Sequence, residues 1–199
     1  QNEPVVHIVR QHLAASRSTL AEAPAPSARD MLGAAHAAFV NAVAGHALDY
    51  DDVALSAHPS TVLVPAIWAE AHRLRASGSD MLRAYVVGYE VWAELFSRES
   101  DQYHLKGWHP TGVFGVVGAA AAVAYLNREK LTQLQVAHAL SIAASSASGV
   151  VANFGTMTKP WHAGRAAAAA VDAVRLAEFG LTAATDALEH RAGFLAAIS

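Results

Sequence analysis

Eleven histidines, three lysines and no cysteine put the chemistry of this chain in imidazoles and carboxylates. Three short segments share one grammar. His58-Pro59-Ser60, His109-Pro110-Thr111 and Lys159-Pro160-Trp161 each set a basic side chain directly before a proline. Chance gives about half of one such pair in a chain of this composition. Proline suits the first turn of a helix and forces the residue before it into an extended conformation, so each segment predicts a helix opening behind a basic residue. A helix start offers free N–H groups and about half a positive charge. With His or Lys added, each start becomes an anion site, and three that converge would suit a substrate with several carboxylates. His162 and Arg165 strengthen the third, since both fall beside Lys159 in the first turn.

A fourth segment, His46-Ala-Leu-Asp49-Tyr50-Asp51-Asp52-Val53, supplies acids. On a helix, His46 and Asp49 share a face and Asp52 continues the stripe. Acids at a helix C-terminus oppose the macrodipole, which raises a carboxyl pKa toward general acid–base work. Asp49, between Leu48 and Tyr50, is the candidate buried functional acid, whereas Asp51 and Asp52 read as capping or solvating a turn. His46, Asp49, Asp52 and His58 are also ligand-type side chains, in the manner of the Asp-rich magnesium motif of helical prenyl-transfer enzymes. That chemistry needs a second acidic cluster on another helix, and neither one nor a His-Glu-x-x-His pattern is present in the sequence. No metal is expected. Ser145, Ser146 and Ser148 lack a nucleophile elbow and read as helix packing. Trp68, Tyr85, Tyr89 and Trp92 fall at helical spacing and read as core or interface, and His36, His72, His138 and His190 as structural or surface residues.

The elements that must position these residues are helical. The chain is rich in alanine, the strongest helix former, and shows almost no β-branched alternation. Helices are predicted over 31–50, 61–76, 80–98, 111–127, 132–150 and 163–179. Ser79-Asp80 caps the third, Thr132-x-x-Gln135 forms a capping box on the fifth, and Gly180 stops the sixth. Small residues at Gly115, Gly118, Ala119–Ala122 and Ala166–Ala170 let helix axes approach closely, giving an all-α, multi-helix domain with buried Ala/Gly-rich central helices. Residues 1–30, with Pro4, Pro24 and Pro26, read as a partial N-terminal helical segment, and 31–199 as a helical domain that stops inside an apolar run.

At 199 residues, 53% apolar and net charge −3, the chain is long enough for a sizeable core and too apolar for disorder. No basic cluster marks a nucleic-acid binder. The uncharged stretches 107–127 and 137–158 are interrupted by His, Pro, Ser and Asn, so no membrane span is expected. No leader is legible at Gln1-Asn2-Glu3-Pro4, which makes a cytoplasmic protein the expectation.

The motifs His46-Ala-Leu-Asp-Tyr-Asp-Asp, His58-Pro-Ser, Gly88-Tyr-Glu, Gly107-Trp-His-Pro-Thr-Gly112 and Gly155-Thr-Met-Thr-Lys159 with His162-Ala-Gly164 occur in that order. Across roughly 35–199 the chain resembles the MmgE/PrpD family of 2-methylcitrate dehydratases, cis-aconitate decarboxylases and iminodisuccinate epimerases. The resemblance implies the family's large helical domain, without the α+β lid domain that follows it, and a homodimer. It implies a site between the two domains that works without metal or organic cofactor and to which Asp49, His58, His109 and Lys159 contribute. Val53 departs from the Thr common at that position. By this resemblance the reaction is a metal-independent lyase step on a small di- or tricarboxylate, dehydration of 2-methylcitrate first, with decarboxylation or epimerisation as alternatives. A non-catalytic helical dimerisation module is the reading from another class. Lys159 and His109, with His162 and Arg165, would hold substrate carboxylates. His58 would exchange the proton at carbon, and Asp49 would set its charge or orientation.

Overall fold

The computed structural model describes residues 3, 4, 6, 8, 20–25, 30–98 and 105–198, and most of the segment read as a partial N-terminal helix lies outside them. Two short strands, β1 (Ala23–Ala25) and β2 (Asp30–Leu32), pair antiparallel with Ala23 opposite Leu32. Among the described residues seven helices follow: α1 (Ala34–His46), α2 (Pro59–Leu74), α3 (Gly78–Ser97), α4 (Pro110–Leu126), α5 (Gln133–Ala144), α6 (Thr158–Glu178) and α7 (Phe194–Ile198), with a 3-10 turn at Val151–Asn153. The fold is all-α, and the hairpin is a small addition that the purely helical reading did not contain. Its strands are three residues long, too short to show alternation.

α4 is the central helix because its sequence is apolar on every face, the pattern of a helix surrounded by others. Of its residues only Tyr125 escapes full burial. Glycine lets α3 cross it at backbone contact. A Cβ on Gly88 would lie 2.8 Å from the Gly118 carbonyl oxygen, and one on Gly118 would lie 2.9 Å from that of Gly88. Trp92, fully buried, fills the space beside this crossing. α6 packs a run of buried alanines, Ala166–Ala170, against α1 and α4. Among the described residues no helix is long and apolar enough to cross a membrane.

Several helix boundaries differ from expectation, each for a local reason. α1 stops at His46 rather than residue 50, since Asp49 takes φ +57°, a left-handed conformation that Asp tolerates. α3 is capped by Ser77, whose hydroxyl accepts from the Asp80 N–H at 3.1 Å, and so starts ahead of Ser79. The capping box at Thr132 and Gln135 forms as expected. α5 ends at Ala144, and Gly149 at φ +115° then returns the chain to His109, whose N–H donates to the Gly149 carbonyl at 3.1 Å. α6 begins at Thr158, so Lys159 and Pro160 lie inside its first turn, where proline's missing N–H costs nothing.

One polar network fixes the far ends of three helices. Glu70 of α2 is completely buried and accepts from Arg73 Nε at 3.0 Å and from Asn127 Nδ2, at the end of α4, at 2.8 Å. Arg175 of α6 lies 3.8 Å from Glu70 and 2.8 Å from Glu22, which also accepts from the Ala34 N–H at 2.9 Å. A buried carboxylate is tolerated only when paired and hydrogen-bonded like this. The network aligns α2, α4 and α6 and brings their N-termini to the opposite end together.

Candidate active site

His58 is the N-cap of α2, His109 the N-cap of α4, and Lys159 the second residue of α6. Pro110 holds His109 in extended backbone, and Pro59 keeps His58 out of the helical region at φ −125°, ψ 77°. The His58 N–H donates to Thr111 Oγ1 at 3.2 Å, tying the start of α2 to the start of α4. Asp52 accepts from the Ser60 N–H at 3.0 Å and so caps α2, the structural part expected of it.

The loop after α1 turns two acids into this end. Lys159 Nζ donates to Asp49 Oδ1 at 2.6 Å, and His58 Nε2 lies 3.6 Å from the same oxygen. Asp51 sits between two imidazoles. His46 Nδ1 is 3.0 and 2.9 Å from its two oxygens, and His58 Nδ1 is 3.3 Å from Oδ2. The rings of His46 and His58 lie 4.6 Å apart, centroid to centroid. The hydrogen bond from Lys159 holds the Asp49 carboxyl below its ordinary pKa. Burial pushes the Asp51 carboxyl up, but His46 and His58 overcome it and hold the group well below the carboxylate range. The Asp51 carboxylate 3.3 Å from Nδ1 raises His58, against burial and the Lys159 charge.

A second imidazole pair lies behind the first. His109 Nδ1 and His162 Nδ1 are 3.0 Å apart, so one carries the shared hydrogen. Burial lowers His109 to about 2, and the fields of His162 and His46 add to that. Burial, then His46, lowers His162 as well. Backbone walls confine the pair: Gly149 places its Cα so that an added Cβ would lie 3.1 Å from His162 Cγ, and one on Gly112 would lie 2.2 Å from the Ser148 carbonyl oxygen. Phe154 meets the His109 ring edge-on at 4.8 Å and lies 5.2 Å beneath the Lys159 ammonium.

The three basic helix starts therefore converge, in different electrostatic states. Asp49, His58 and Lys159 form one cluster, and His109 and His162 form a buried pair joined to it through His46, whose ring lies 6.1 Å from that of His109. His109 is neutral rather than a cationic anchor, because burial outweighs its basicity. Asp49 is not buried, its side chain being 54% exposed, and neither it nor Asp51 has the raised pKa expected at a helix C-terminus, because Lys159 engages Asp49 and the two imidazoles outweigh burial at Asp51. Arg165 stays out of the cluster. Six residues beyond Lys159 it is turned about 120° around α6, exposed, with its guanidinium 6.0 Å from the Trp161 ring.

Sequence reasoning set Asp51 aside as a turn residue and gave His46 no catalytic part. Their five-residue separation is not a helical spacing, and only the turn-forming Asp-Tyr-Asp-Asp run hints that the chain doubles back. His46, Asp49, Asp51 and His58 present ligand atoms within 4.8 Å of one another, close enough to hold a cation. Those atoms are already paired among themselves, and the Lys159 ammonium occupies the position on Asp49 that a cation would need.

Imidazoles, carboxylates and a lysine are gathered where the starts of three helices of an alanine- and glycine-rich helical domain converge. The family described as the MmgE/PrpD N-terminal domain matches residues 1–199, and the chain belongs to that family. It is similar to the cis-aconitate decarboxylases of Homo sapiens, 40% identical over 167 residues, and Mus musculus, 40% identical over 166. Each alignment takes in 80% of this chain, and 34% and 33% of those proteins respectively. A cis-aconitate decarboxylase-like protein, oryM, of Aspergillus oryzae (strain ATCC 42149 / RIB 40) is 36% identical over 126 residues, 58% of this chain and 26% of that protein. The chain spans about a third of the length of the first two relatives.

Proposed function

We propose that this domain supplies the acid–base groups of a lyase acting on a small polycarboxylate, and that the reaction is decarboxylation of cis-aconitate. The observation that carries the reading is the meeting of a half-buried imidazole of raised pKa, His58, with an ammonium, Lys159, at neighbouring helix starts. The named activity of relatives at 40% identity favours decarboxylation over the dehydration of 2-methylcitrate that the family resemblance put first.

Breaking a carbon–carboxylate bond releases CO2 and leaves its electron pair on carbon, where a neighbouring double bond and carboxylate delocalise it. Lys159 holds the carboxylate onto which that charge spreads, leaving Asp49 as it does so. His58, protonated through its pairing with Asp51, gives its Nε2 proton to carbon and regains one from water. His109, neutral and backed by His162, contributes a dipole rather than a charge.

Proton NMR in D2O with cis-aconitate, 2-methylcitrate and iminodisuccinate tests this on the full chain. The expected result is CO2 release from cis-aconitate, with one deuterium in the unsaturated dicarboxylate formed. Water loss from 2-methylcitrate without CO2 would replace decarboxylation by dehydration, and deuterium exchange into iminodisuccinate alone would replace it by epimerisation. Turnover of none would leave the non-catalytic helical module.

A further inference from the structure

Two side chains near the proton-carrying imidazole touch neither substrate nor the reacting carbon in the chemistry above, His46 and Asp51. Asp51 is nearly enclosed, its side chain 10% exposed, and the His46 side chain is fully buried. An ionised carboxylate only accepts hydrogen bonds, so the nitrogens turned toward Asp51 carry hydrogens: Nδ1 of His46, which is hydrogen-bonded to it, and Nδ1 of His58, which is buried 3.3 Å from Oδ2 and has no other acceptor. For His58 this determines which end of the ring works. With Nδ1 committed to Asp51, Nε2 is the nitrogen displayed toward Asp49 and Lys159, where a substrate carboxylate would lie. For Asp51 it fixes the carboxylate itself, because His46 Nδ1 reaches both oxygens from the last turn of α1.

We infer that His46, Asp51 and His58 form an orienting chain in which Asp51, held by His46, is the positioning residue that sets the tautomer and the charge of His58. The logic is that of a base oriented by a third group, and the inference rests on the reading of His58 as the proton carrier. The charged and titratable groups facing His58 come from four elements: Asp49 and Asp51 from the loop after α1, His46 from α1, His109 from the start of α4 and Lys159 from α6. Asp51 is the acid that contacts Nδ1. Asp49 lies on the Nε2 side and is engaged by Lys159, so the two acids do not substitute for one another.

Long-range proton–nitrogen NMR on nitrogen-labelled protein, with His58 assigned from the spectrum of His58→Gln, tests this without any substrate. In the wild-type protein, above its titration midpoint, His58 is expected as the Nδ1–H tautomer, the minor form of free histidine. The Nε2–H tautomer there would overturn the inference, and this readout needs no variant of Asp51 to fold. In Asp51→Asn the midpoint is expected to fall by about one pH unit or more, a tenfold change in proton affinity. An unchanged midpoint in a folded Asp51→Asn protein would also overturn it. His46→Asn, which keeps a donor where Nδ1 stood, is expected to retain most of the wild-type midpoint, and His46→Phe to lose it; equal effects of the two would remove His46 from the chain. In turnover, Asp51→Asn is expected to lower kcat about 100-fold with KM within about threefold and to move the alkaline limb of the pH profile to lower pH. The expected tautomer and midpoints without turnover of any substrate would leave the orienting chain standing and count against the proposed function alone.

Discussion

The two ends of α2, α4 and α6 carry similar inventories of charge and use them in opposite ways. At the C-terminal ends, Glu70, Arg73, Asn127, Arg175 and Glu22 match donors to acceptors inside the core. At the N-terminal ends the matching is incomplete. His46 Nε2, His58 Nδ1 and His109 Nε2 are buried without a hydrogen bond among the described residues, and Asp49 stands half in solvent. A closed network rigidifies, whereas a partly satisfied one is costly and persists where something other than stability retains it. The closed end thus holds three helices in register, and with them the positions of His58 and Lys159 at the open end.

Variants at the two ends separate these roles. His58→Gln is expected to lower turnover about 10²- to 10⁴-fold, the range for a lost general acid, with substrate binding kept and the unfolding midpoint little changed. Glu70→Ala does the reverse. It leaves the Arg73 guanidinium without its buried partner and should cost about 3–5 kcal/mol, while kcat per folded molecule stays near wild type. Steady-state kinetics beside urea unfolding reads both. Equal losses of kcat in the two proteins would mean that the ends are not separable.

Lys159→Ala sharpens the comparison within the open end. Charge-assisted hydrogen bonds contribute about 1.5–3 kcal/mol, so KM is expected to rise about 10- to 150-fold while kcat changes only a few-fold. Lys159→Arg should recover part of the binding. A collapse of kcat with unchanged KM would exchange the parts assigned to Lys159 and His58.

The open end was the more legible in sequence, because its grammar is local. A basic residue before proline announces a helix start, and at His58 and His109 the structure follows it. The loop after α1 was not legible, since a reading that continues the helix to residue 50 puts Asp49 on the His46 face and sends Asp51 into solvent. One left-handed residue, Asp49, turns the chain so that Asp51 comes inward onto His46, while Asp49 itself stays 3.7 Å from His46 Nδ1 and half exposed. The closed end left no signal: Glu70 and Asn127 are 57 positions apart on different helices, and only the packing of α2 on α4, where a Cβ on Gly115 would lie 3.1 Å from Val62 Cγ2, brings those helices together.

The backbone walls of the buried imidazole pair offer a smaller test. In Gly112→Ala the new Cβ meets the Ser148 carbonyl, which is backbone and cannot rotate aside, and Gly149→Ala adds a left-handed strain. Each is expected to lower stability by about 1–3 kcal/mol, measured by denaturant unfolding. The His109 and His162 signals should shift in NMR spectra while the His58 midpoint holds. A His58 midpoint that moves with these glycines would make the two imidazole pairs one unit.

Near neutral pH the smallest effect comes from protonation of the folded and unfolded chains. His58 has a raised pKa, so its contribution to stability is complete below about pH 6.5 and is lost as pH rises through its folded value. His109, lowered to about 2, works the other way. Below about pH 6.5 the unfolded chain binds a proton that the folded site refuses, and stability drains as pH falls. For one such group the loss is about 0.8 kcal/mol at pH 6 and about 1.4 kcal/mol for each further unit. Urea unfolding at pH 7, 6 and 5 should therefore show wild type losing more stability than His109→Gln, with the gap widening at each step. Parallel curves would mean that His109 accepts its proton while folded, and the buried pair would then carry charge like the cluster in front of it.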